Sequence, residues 1–202
     1  MRRRSPIFLA LAAWTAGACG GGPEPPPQPG ESRGVPPDLR GRRVMLLPVQ
    51  QVVGVPGDPS AEVAFAFTGR SEAVEWVLEE EIQEILRRSP GIRADTRGLP
   101  VGAFRLSEVN RVGDPLYGQI RRMAGLVDAE AVILPVAATF ERNPEVPGST
   151  PRVRLSAAVI DPRSGRVAWY GVVESDDVPR EDPRALASAA ERLARIVLWF
   201  AP

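Results

Sequence analysis

Hydrophobic and polar positions repeat with two different periods along this chain, and the changes of period divide it into predicted strands and helices. Residues 43–49 form an apolar run closed by Pro48. That run is typical of a buried strand, because proline is tolerated near a strand end but not inside a central ladder. Residues 131–140 form a second long apolar run, which predicts another buried strand.

A β-hairpin is the clearest local prediction. Residues 152–160 and 166–173 alternate in polarity, and Asp161–Gly165 between them has turn composition. One face of this hairpin is predicted to carry Val153, Leu155, Ala157, Val159, Val167, Trp169, Gly171 and Val173.

Three Asp-Pro pairs mark predicted helix starts, since Asp caps a helix and Pro suits its first position. They begin at Asp58, Asp114 and Asp182. The second helix is expected to run to about Leu126, and the third is the last helix of the chain. Their predicted buried residues are Leu116, Ile120, Met123 and Ala124, and then Leu186, Ala190, Leu193, Val197 and Phe200.

The first of these helices has an ambiguous pattern. One helical stripe contains Ala61, Ala64, Phe65 and Thr68, whereas Val63, Phe65 and Phe67 also fit a strand. We prefer the helix because of its start signal.

The segment that follows is also open to two interpretations. Residues 73–78 alternate like a strand. Residues 79–88 are predicted to form an amphipathic helix whose inner face contains Ile82, Ile85 and Leu86. Three glutamates in its first turn and two arginines in its last turn suit the helix dipole. Residues 59–88 are therefore helix-strand-helix, or else one continuous helix covers residues 71–88.

The predicted order of elements is β-α-β-α-α-β-β-β-α. Residues 92–113 are poorly patterned, with Val101, Phe104 and Leu106 as expected core contacts. Early crossovers give parallel strand pairs and late hairpins give antiparallel pairs. This order predicts a single α/β (α+β) domain, with a mixed five-stranded sheet and three to four packed helices.

The amino-terminal segment predicts export. Three arginines, an apolar run of about ten residues and a small-residue stretch precede Cys19, and this run is too short to span a bilayer. Residues 1–18 are thus a predicted signal peptide. The sequence Ala16-Gly17-Ala18-Cys19 resembles a bacterial lipobox, which implies lipid attachment at Cys19 and, with Gly20 next, the outer membrane. A lone exported cysteine without a disulfide partner fits this; an ordinary signal peptide cut near Ala18 is the alternative.

A linker follows the cysteine. Seven of the nineteen residues 20–38 are Pro and five are Gly, so this segment is not expected to form a core. In an extended form it would reach roughly 60 Å. Residues 19–38 are therefore the predicted lipidated cysteine and linker, and residues 39–202 the periplasmic α/β domain.

The amino-acid composition excludes several classes of function. The chain contains no Lys and no His, so neither a histidine base or metal ligand nor a Schiff-base lysine is available. The mature chain would carry 22 arginines against 25 acidic residues, which is not a basic footprint for nucleic acid. We expect no enzyme activity, no cofactor, no metal and no small-molecule substrate.

Three segments together resemble a known group of periplasmic domains. They are Arg43–Val49 at the opening strand, Leu126–Ile133 at a helix end and strand, and Asp161–Trp169 at the last turn. They resemble the domain shared by the TolB amino-terminal region, the curli-secretion lipoprotein and the lipoprotein activators of penicillin-binding proteins. The resemblance covers most of residues 40–200 and implies a non-catalytic module that binds protein partners in the envelope.

Four sets of residues are candidate sites, each with a simpler explanation. An acidic set offers oxygen ligands for calcium but is better explained as a solvated loop with a helix cap: Glu174, Asp176, Asp177, Glu181 and Asp182. Pairs of arginines suit anionic headgroups or glycan but also suit helix ends in water: Arg87, Arg88, Arg121 and Arg122. The acids Glu79–Glu81 are neighbours in a predicted helix, so their carboxylates point apart. Exposed aromatics would form a partner patch, although core packing is their usual role: Phe67, Trp169 and Tyr170.

The sequence therefore predicts an outer-membrane lipoprotein that faces the periplasm and acts as an envelope protein-interaction module, either cell-wall-synthase-activator-like or an assembly adaptor. The alternatives are a carboxylate-dependent envelope hydrolase and a subunit of a secretion or Tol-type assembly.

Overall fold

Seven strands and five helices make up the described part of the chain. A computed structural model describes residues 32–106, 109–142, 148–179 and 181–201, with side chains 105 and 106 left out. The strands are β1 (Ser32–Gly34), β2 (Arg43–Leu46), β3 (Gln51–Val53), β4 (Glu75–Val77), β5 (Ala131–Glu141), β6 (Arg152–Ile160) and β7 (Val167–Glu174). The helices are α1 (Pro59–Thr68), α2 (Glu79–Arg88), α3 (Ala103–Leu106), α4 (Leu116–Leu126) and α5 (Arg184–Val197). No helix within these described ranges has the length and apolar character needed to cross a bilayer.

All seven strands belong to one mixed sheet. Its order is β1-β7-β6-β5-β2-β4, and β3 pairs with the second half of β5. Strand β2 is parallel to β4 and β5, whereas β5, β6, β7 and β1 form antiparallel pairs. The predicted fold class is confirmed, and the predicted order is present with three short elements added to it, β1, β3 and α3, the last of which raises the helix count to five; residues 59–88 are helix-strand-helix. The strand count is seven rather than five, because β1 and β3 are short edge strands without a sequence period.

Strand β1 lies inside the predicted linker. It pairs with β7, and the backbone of Gly34 has a positive φ of 74°. A side chain there would overlap the carbonyl oxygen of Ala168, so the close approach of the two strands requires glycine. Farther along, the indole Nε1 of Trp199 donates to the carbonyl of Pro36 at 3.2 Å. Residues 32–38 of the predicted linker therefore make contacts with the domain.

The sheet has a buried core on each side. On one side, the α1/α5 face, helices α1 and α5 cover the sheet; on the other, the α2/α4 face, α2, α3 and α4 do. Strand β5 is buried on both faces from Ala131 to Val136, which explains its unbroken apolar run. The residues predicted to be buried in α4 are all buried, as are four of the five in the last helix; Phe200 is only half-buried.

Helix α1 buries a different face from the predicted stripe. Asp58 caps it, accepting from the backbone N–H of Ser60 and Ala61 as expected. Its buried residues are Pro59, Val63, Ala66 and Phe67, whereas Phe65 is 71% exposed. The helix is apolar nearly all round, so spacing alone could not identify the inner face. Packing against α5 decides it.

Val167 is also on the opposite face from the prediction. Val159 pairs with Trp169 and Ile160 pairs with Val167, so Ala168 is an extra residue in β7. A bulge of this kind reverses the alternation. Val167 consequently packs on the α2/α4 face, while Trp169 and Val173 lie in the α1/α5 core.

The predicted turn at Asp161–Gly165 is confirmed and is organised by Asp161. Its carboxylate accepts from the backbone N–H of Arg163 at 2.9 Å and from the hydroxyl of Ser164 at 2.6 Å. Burial alone would raise the pKa of this carboxyl, but the hydrogen bonds from Ser164 and Arg163 outweigh burial and leave the pKa lowered. The turn therefore favours ionised Asp161.

This turn makes stability depend on pH. We expect Asp161→Ala to lower the free energy of unfolding at pH 7 by about 1 kcal/mol, a typical net value for a hydrogen-bonding side chain. Because the folded pKa is below the unfolded value of about 3.9, the contribution of the charged carboxylate is complete above that value. It disappears as pH falls through the folded pKa. Urea unfolding at pH 7 and at pH 2.5 measures the difference between wild type and variant; an equal difference at both values would contradict the prediction.

Candidate interaction surface

A crevice lies at the carboxyl ends of β2 and β4, where a small ligand would be expected in a sheet of this kind. After β2 the chain passes through β3 to α1 on one face, and after β4 it enters α2 on the other face. In open α/β sheets ligands bind outside the carboxyl ends of strands, where the connections diverge in this way. This crevice has a volume of about 100 Å³. Small-molecule sites usually have roughly 300–1,000 Å³.

The chain's own ion pair lines this crevice. Arg97 makes a bidentate contact with Glu79, at 2.7 Å from Nε and 2.5 Å from Nη2. Glu79 also accepts from the Thr96 hydroxyl at 3.0 Å and from Gln83 Nε2 at 2.9 Å. The hydrogen bond to Glu79 raises the pKa of Arg97. The arrangement connects α2 to the loop after it and leaves little room for a ligand.

The other predicted sites are largely paired within the chain. Four acids of the 174–182 set have arginine partners: Glu174 with Arg154, Asp176 with Arg192, Asp177 with Arg152, and Asp182 with Arg184. Among the described residues there is no cluster of three metal-ligating side chains. Arg87 and Arg88 both pair with Glu84. Arg121 and Arg122 are exposed on α4.

The three glutamates of α2 do not form a pair of catalytic geometry. Glu79 contacts Arg97, Glu81 contacts Arg43, and Glu80 is exposed. Successive residues of a helix point in different directions, as expected. Cys19, the predicted lipid attachment site, lies outside the described residues.

The candidate aromatic patch is not at the surface: its three members are core residues, which was the usual role expected of them. Phe67 and Trp169 lie in the α1/α5 core, and Tyr170 lies on the α2/α4 face. Burial raises the pKa of Tyr170, and its hydroxyl donates to the carbonyl of Phe104 at 3.3 Å. The exposed large apolar side chains are elsewhere: Val35, Val52, Val53, Phe65, Ile196 and Trp199.

A broad open surface is formed by the second half of the sheet on the α2/α4 face, which we call the open sheet face. Strands β3, β5, β6 and β7 contribute to it. Paired residues of neighbouring strands point to the same side of the sheet. Across β3, β5, β6 and β7 they form two rows on this face: Val53, Thr139, Arg154 and Glu174 in one, and Gln51, Ala137, Ser156 and Val172 in the next. These side chains are half-buried or exposed, and part of the surface is a shallow groove of about 230 Å³.

Arg154 lies at the centre of this surface. Its Nη1 is 3.1 Å from Glu141 Oε1 and its Nε is 3.6 Å from Glu174 Oε1, while only 14% of its side chain is exposed. Thr139 donates its hydroxyl to Glu141 at 3.0 Å. Charges of both signs are paired within the surface, so it offers ordered hydrogen-bonding groups and aliphatic stems rather than one sign of charge. Chemically, it suits a docking surface better than a catalytic centre.

Comparisons with known proteins give structural likenesses at low identity. No protein-family model matches the sequence, and no curated protein sequence matches it. A structure of the PelC dodecamer from Paraburkholderia phytofirmans is 13% identical with a TM-score of 0.46, covering 83% of this chain and 94% of that one.

Two further solved structures are similar to a comparable degree. The LpoB C-terminal domain from Salmonella enterica is 12% identical with a TM-score of 0.45, covering 69% of this chain and 86% of its own. Lipoprotein GNA1162 from Neisseria meningitidis is 13% identical with a TM-score of 0.38, covering 66% and 81%. Because the TM-scores are below 0.5, we infer nothing about function from these likenesses.

Proposed function

We propose that this chain is a non-catalytic envelope lipoprotein, anchored in the outer membrane through Cys19, whose periplasmic domain binds a protein partner. The observation that carries the proposal is the contrast between its two possible sites. The crevice where an α/β domain would hold a small ligand contains the ion pair of Glu79 and Arg97. The open sheet face, by comparison, presents four strands to solvent.

A protein partner is the appropriate occupant for such a surface. Interfaces between proteins use broad surfaces with a few ordered polar groups and an apolar contribution, and a shallow groove is compatible with this. The edge strand β3, which pairs with β5, adds exposed Val53 to this face, while exposed Val52 points to the other side of the sheet. An extended segment of a partner can pair with such an edge. A cell-wall-synthase activator or an assembly adaptor would use the surface in this way.

The anchor is tested by changing Cys19. In a bacterial host, Cys19→Ala is expected to abolish labelling with palmitate and to move the protein from the membrane fraction to the soluble periplasmic fraction. A signal peptide alone leaves the product without acyl chains, whereas multiple chains anchor it stably. Cys19→Ser is the matched control for loss of the thiol alone and should behave like Cys19→Ala. Palmitate labelling or membrane fractionation that persists in both variants would contradict lipid attachment.

The binding surface is tested by crosslinking in the native envelope. A photoreactive amino acid at Val172, on the open sheet face, is expected to capture a specific protein partner that mass spectrometry identifies. The same amino acid at Ala61, which is exposed on α1, is the control position. Capture of a cell-wall synthase supports the activator-like role, and capture of only secretion or Tol-type components supports the alternative, a subunit of such an assembly. Equal products from both positions would contradict binding at this surface.

A further inference from the structure

Apolar side chains are exposed where β1 meets the end of α5. Val35 is 77% exposed and Trp199 is 56% exposed, and Ile196 lies one turn before Trp199. The indole of Trp199 packs edge-on against Phe200, at 5.9 Å between ring centroids. The guanidinium of Arg40 lies 5.4 Å from the centre of the Phe200 ring. We call these five residues the terminal aromatic patch.

The chain around this patch is basic, in contrast to the protein as a whole. Residues 33–42 and 195–201 contain four arginines and one acid, Asp38; Arg40, Arg42 and Arg195 are exposed, whereas Nη1 of Arg33 is buried. That acid is paired with Arg40 at 2.5 Å. Over the mature chain, acids exceed arginines by three. Positive charge next to exposed tryptophan is therefore a local property of this end of the domain.

The patch also lies where the chain enters the domain. Val35 follows β1 directly, and Trp199 is connected to the same segment by its hydrogen bond to the Pro36 carbonyl. Twelve residues, 20–31, separate Cys19 from Ser32. Even fully extended, this stretch spans at most about 45 Å. An anchor at Cys19 would therefore keep this patch close to the bilayer at a high effective concentration, so that even a weak contact is populated.

We propose that the terminal aromatic patch docks on the membrane surface, with Trp199 and Val35 in the interfacial layer and the nearby arginines at anionic phospholipid headgroups. Tryptophan is favoured at this layer because its ring is amphipathic, and each arginine near an anionic surface adds attraction. This inference rests on the proposed anchoring at Cys19. Docking fixes the orientation of the domain: β1 lies at the membrane, and the open sheet face extends away from it, from β7 next to β1 to β3 on the far side of β5.

Brominated lipids test this contact, because bromine on an acyl chain quenches tryptophan that reaches the bilayer. The full acylated protein is reconstituted into vesicles of brominated phosphatidylcholine and phosphatidylglycerol. Once the predicted signal peptide is removed, three tryptophans remain; Trp169 is buried and Trp76 is half-buried. We expect clear quenching of wild type and its loss in Trp199→Phe. Val35→Asp combined with Ile196→Asp keeps the reporter and should remove most of the quenching.

Controls separate docking from anchoring and from folding. Val53→Asp, on the opposite edge of the sheet, should be quenched like wild type, and near-ultraviolet circular dichroism checks that each variant is folded. Flotation with the vesicles reports the anchor independently. Anchored wild type whose Trp199 is not quenched would overturn the docking proposal, as would equal quenching in the Val35/Ile196 double variant. Failure of wild type to float would instead count against lipid attachment. Quenching that disappears when phosphatidylglycerol is omitted would support the role of the arginines.

Discussion

Replacing Trp169 with Ala is expected to lower the free energy of unfolding by about 3–5 kcal/mol, the usual range for removing a large aromatic side chain from a core. Trp169 is 1% exposed and lies in the α1/α5 core. Since a domain of this size has about 5–15 kcal/mol of stability in total, this variant is expected to be marginally folded. Urea unfolding followed by circular dichroism measures the loss. Trp199→Ala, at an exposed tryptophan, is the control and should cost well under half as much.

Gly171 allows a more specific test of how Trp169 packs in the core, because it lies under the indole of Trp169. A Cβ at Gly171 would be 2.9 Å from Cη2 of that ring and would overlap Cζ2 as well. We expect Gly171→Ala to cost about 1–3 kcal/mol through overpacking. Phenylalanine lacks the outer part of the indole, so Gly171→Ala should cost much less in a Trp169→Phe background. Additive effects in this double-mutant cycle would contradict the contact.

The second large effect is expected at Arg154. Arg154→Ala should lower the free energy of unfolding by about 2 kcal/mol, because it leaves the poorly exposed carboxylate of Glu174 without its cation. Only 19% of the Glu174 side chain is exposed. Glu141 is half exposed and can be rehydrated, which keeps the cost below that of a fully buried pair. Urea unfolding at pH 7 measures it.

Arg152 is the matched control, since it is on the same strand and the same sheet face, two residues away. It is 3.4 Å from Asp177, which is well exposed. Exposed ion pairs contribute about 0–1 kcal/mol, so Arg152→Ala should be nearly neutral. Equal losses in the two variants would show that Arg154 is not held as its contacts indicate. The variant Arg154→Met keeps the aliphatic stem. If the open sheet face binds the partner, this variant should lose a larger fraction of the crosslinking at Val172 than of the free energy of unfolding.

Helices with one strongly apolar side were predicted well from the sequence, because their pattern allows one inner face. In α4 the buried residues are Leu116, Ile120, Met123 and Ala124, as expected. Helix α1 is the contrasting case. It is apolar on several sides, so only packing against α5 could bury Val63 and Phe67 and leave Phe65 in solvent.

The open sheet face corresponds to polar positions in the sequence, which the alternation of apolar residues alone did not identify as a binding surface. Strand β6 alternates, and its apolar residues locate the core correctly. Its polar positions, Arg152, Arg154 and Ser156, mark the other face of the same strand. Among the described residues, this face is left uncovered where α2, α3 and α4 end over the sheet, and those positions are long-range consequences of the fold.

The order of the elements, the α/β class, the turn at Asp161 and the absence of histidine and lysine chemistry all follow from the sequence, because they depend on residue type and on contacts between near neighbours. Long-range packing was needed to establish that β1 and β3 extend the sheet, since three-residue strands exist only through pairing with β7 and β5. The same packing places Glu79 and Arg97 in the crevice. It also brings Val35 and Trp199, 164 positions apart in the sequence, onto one surface next to the chain that leads to Cys19.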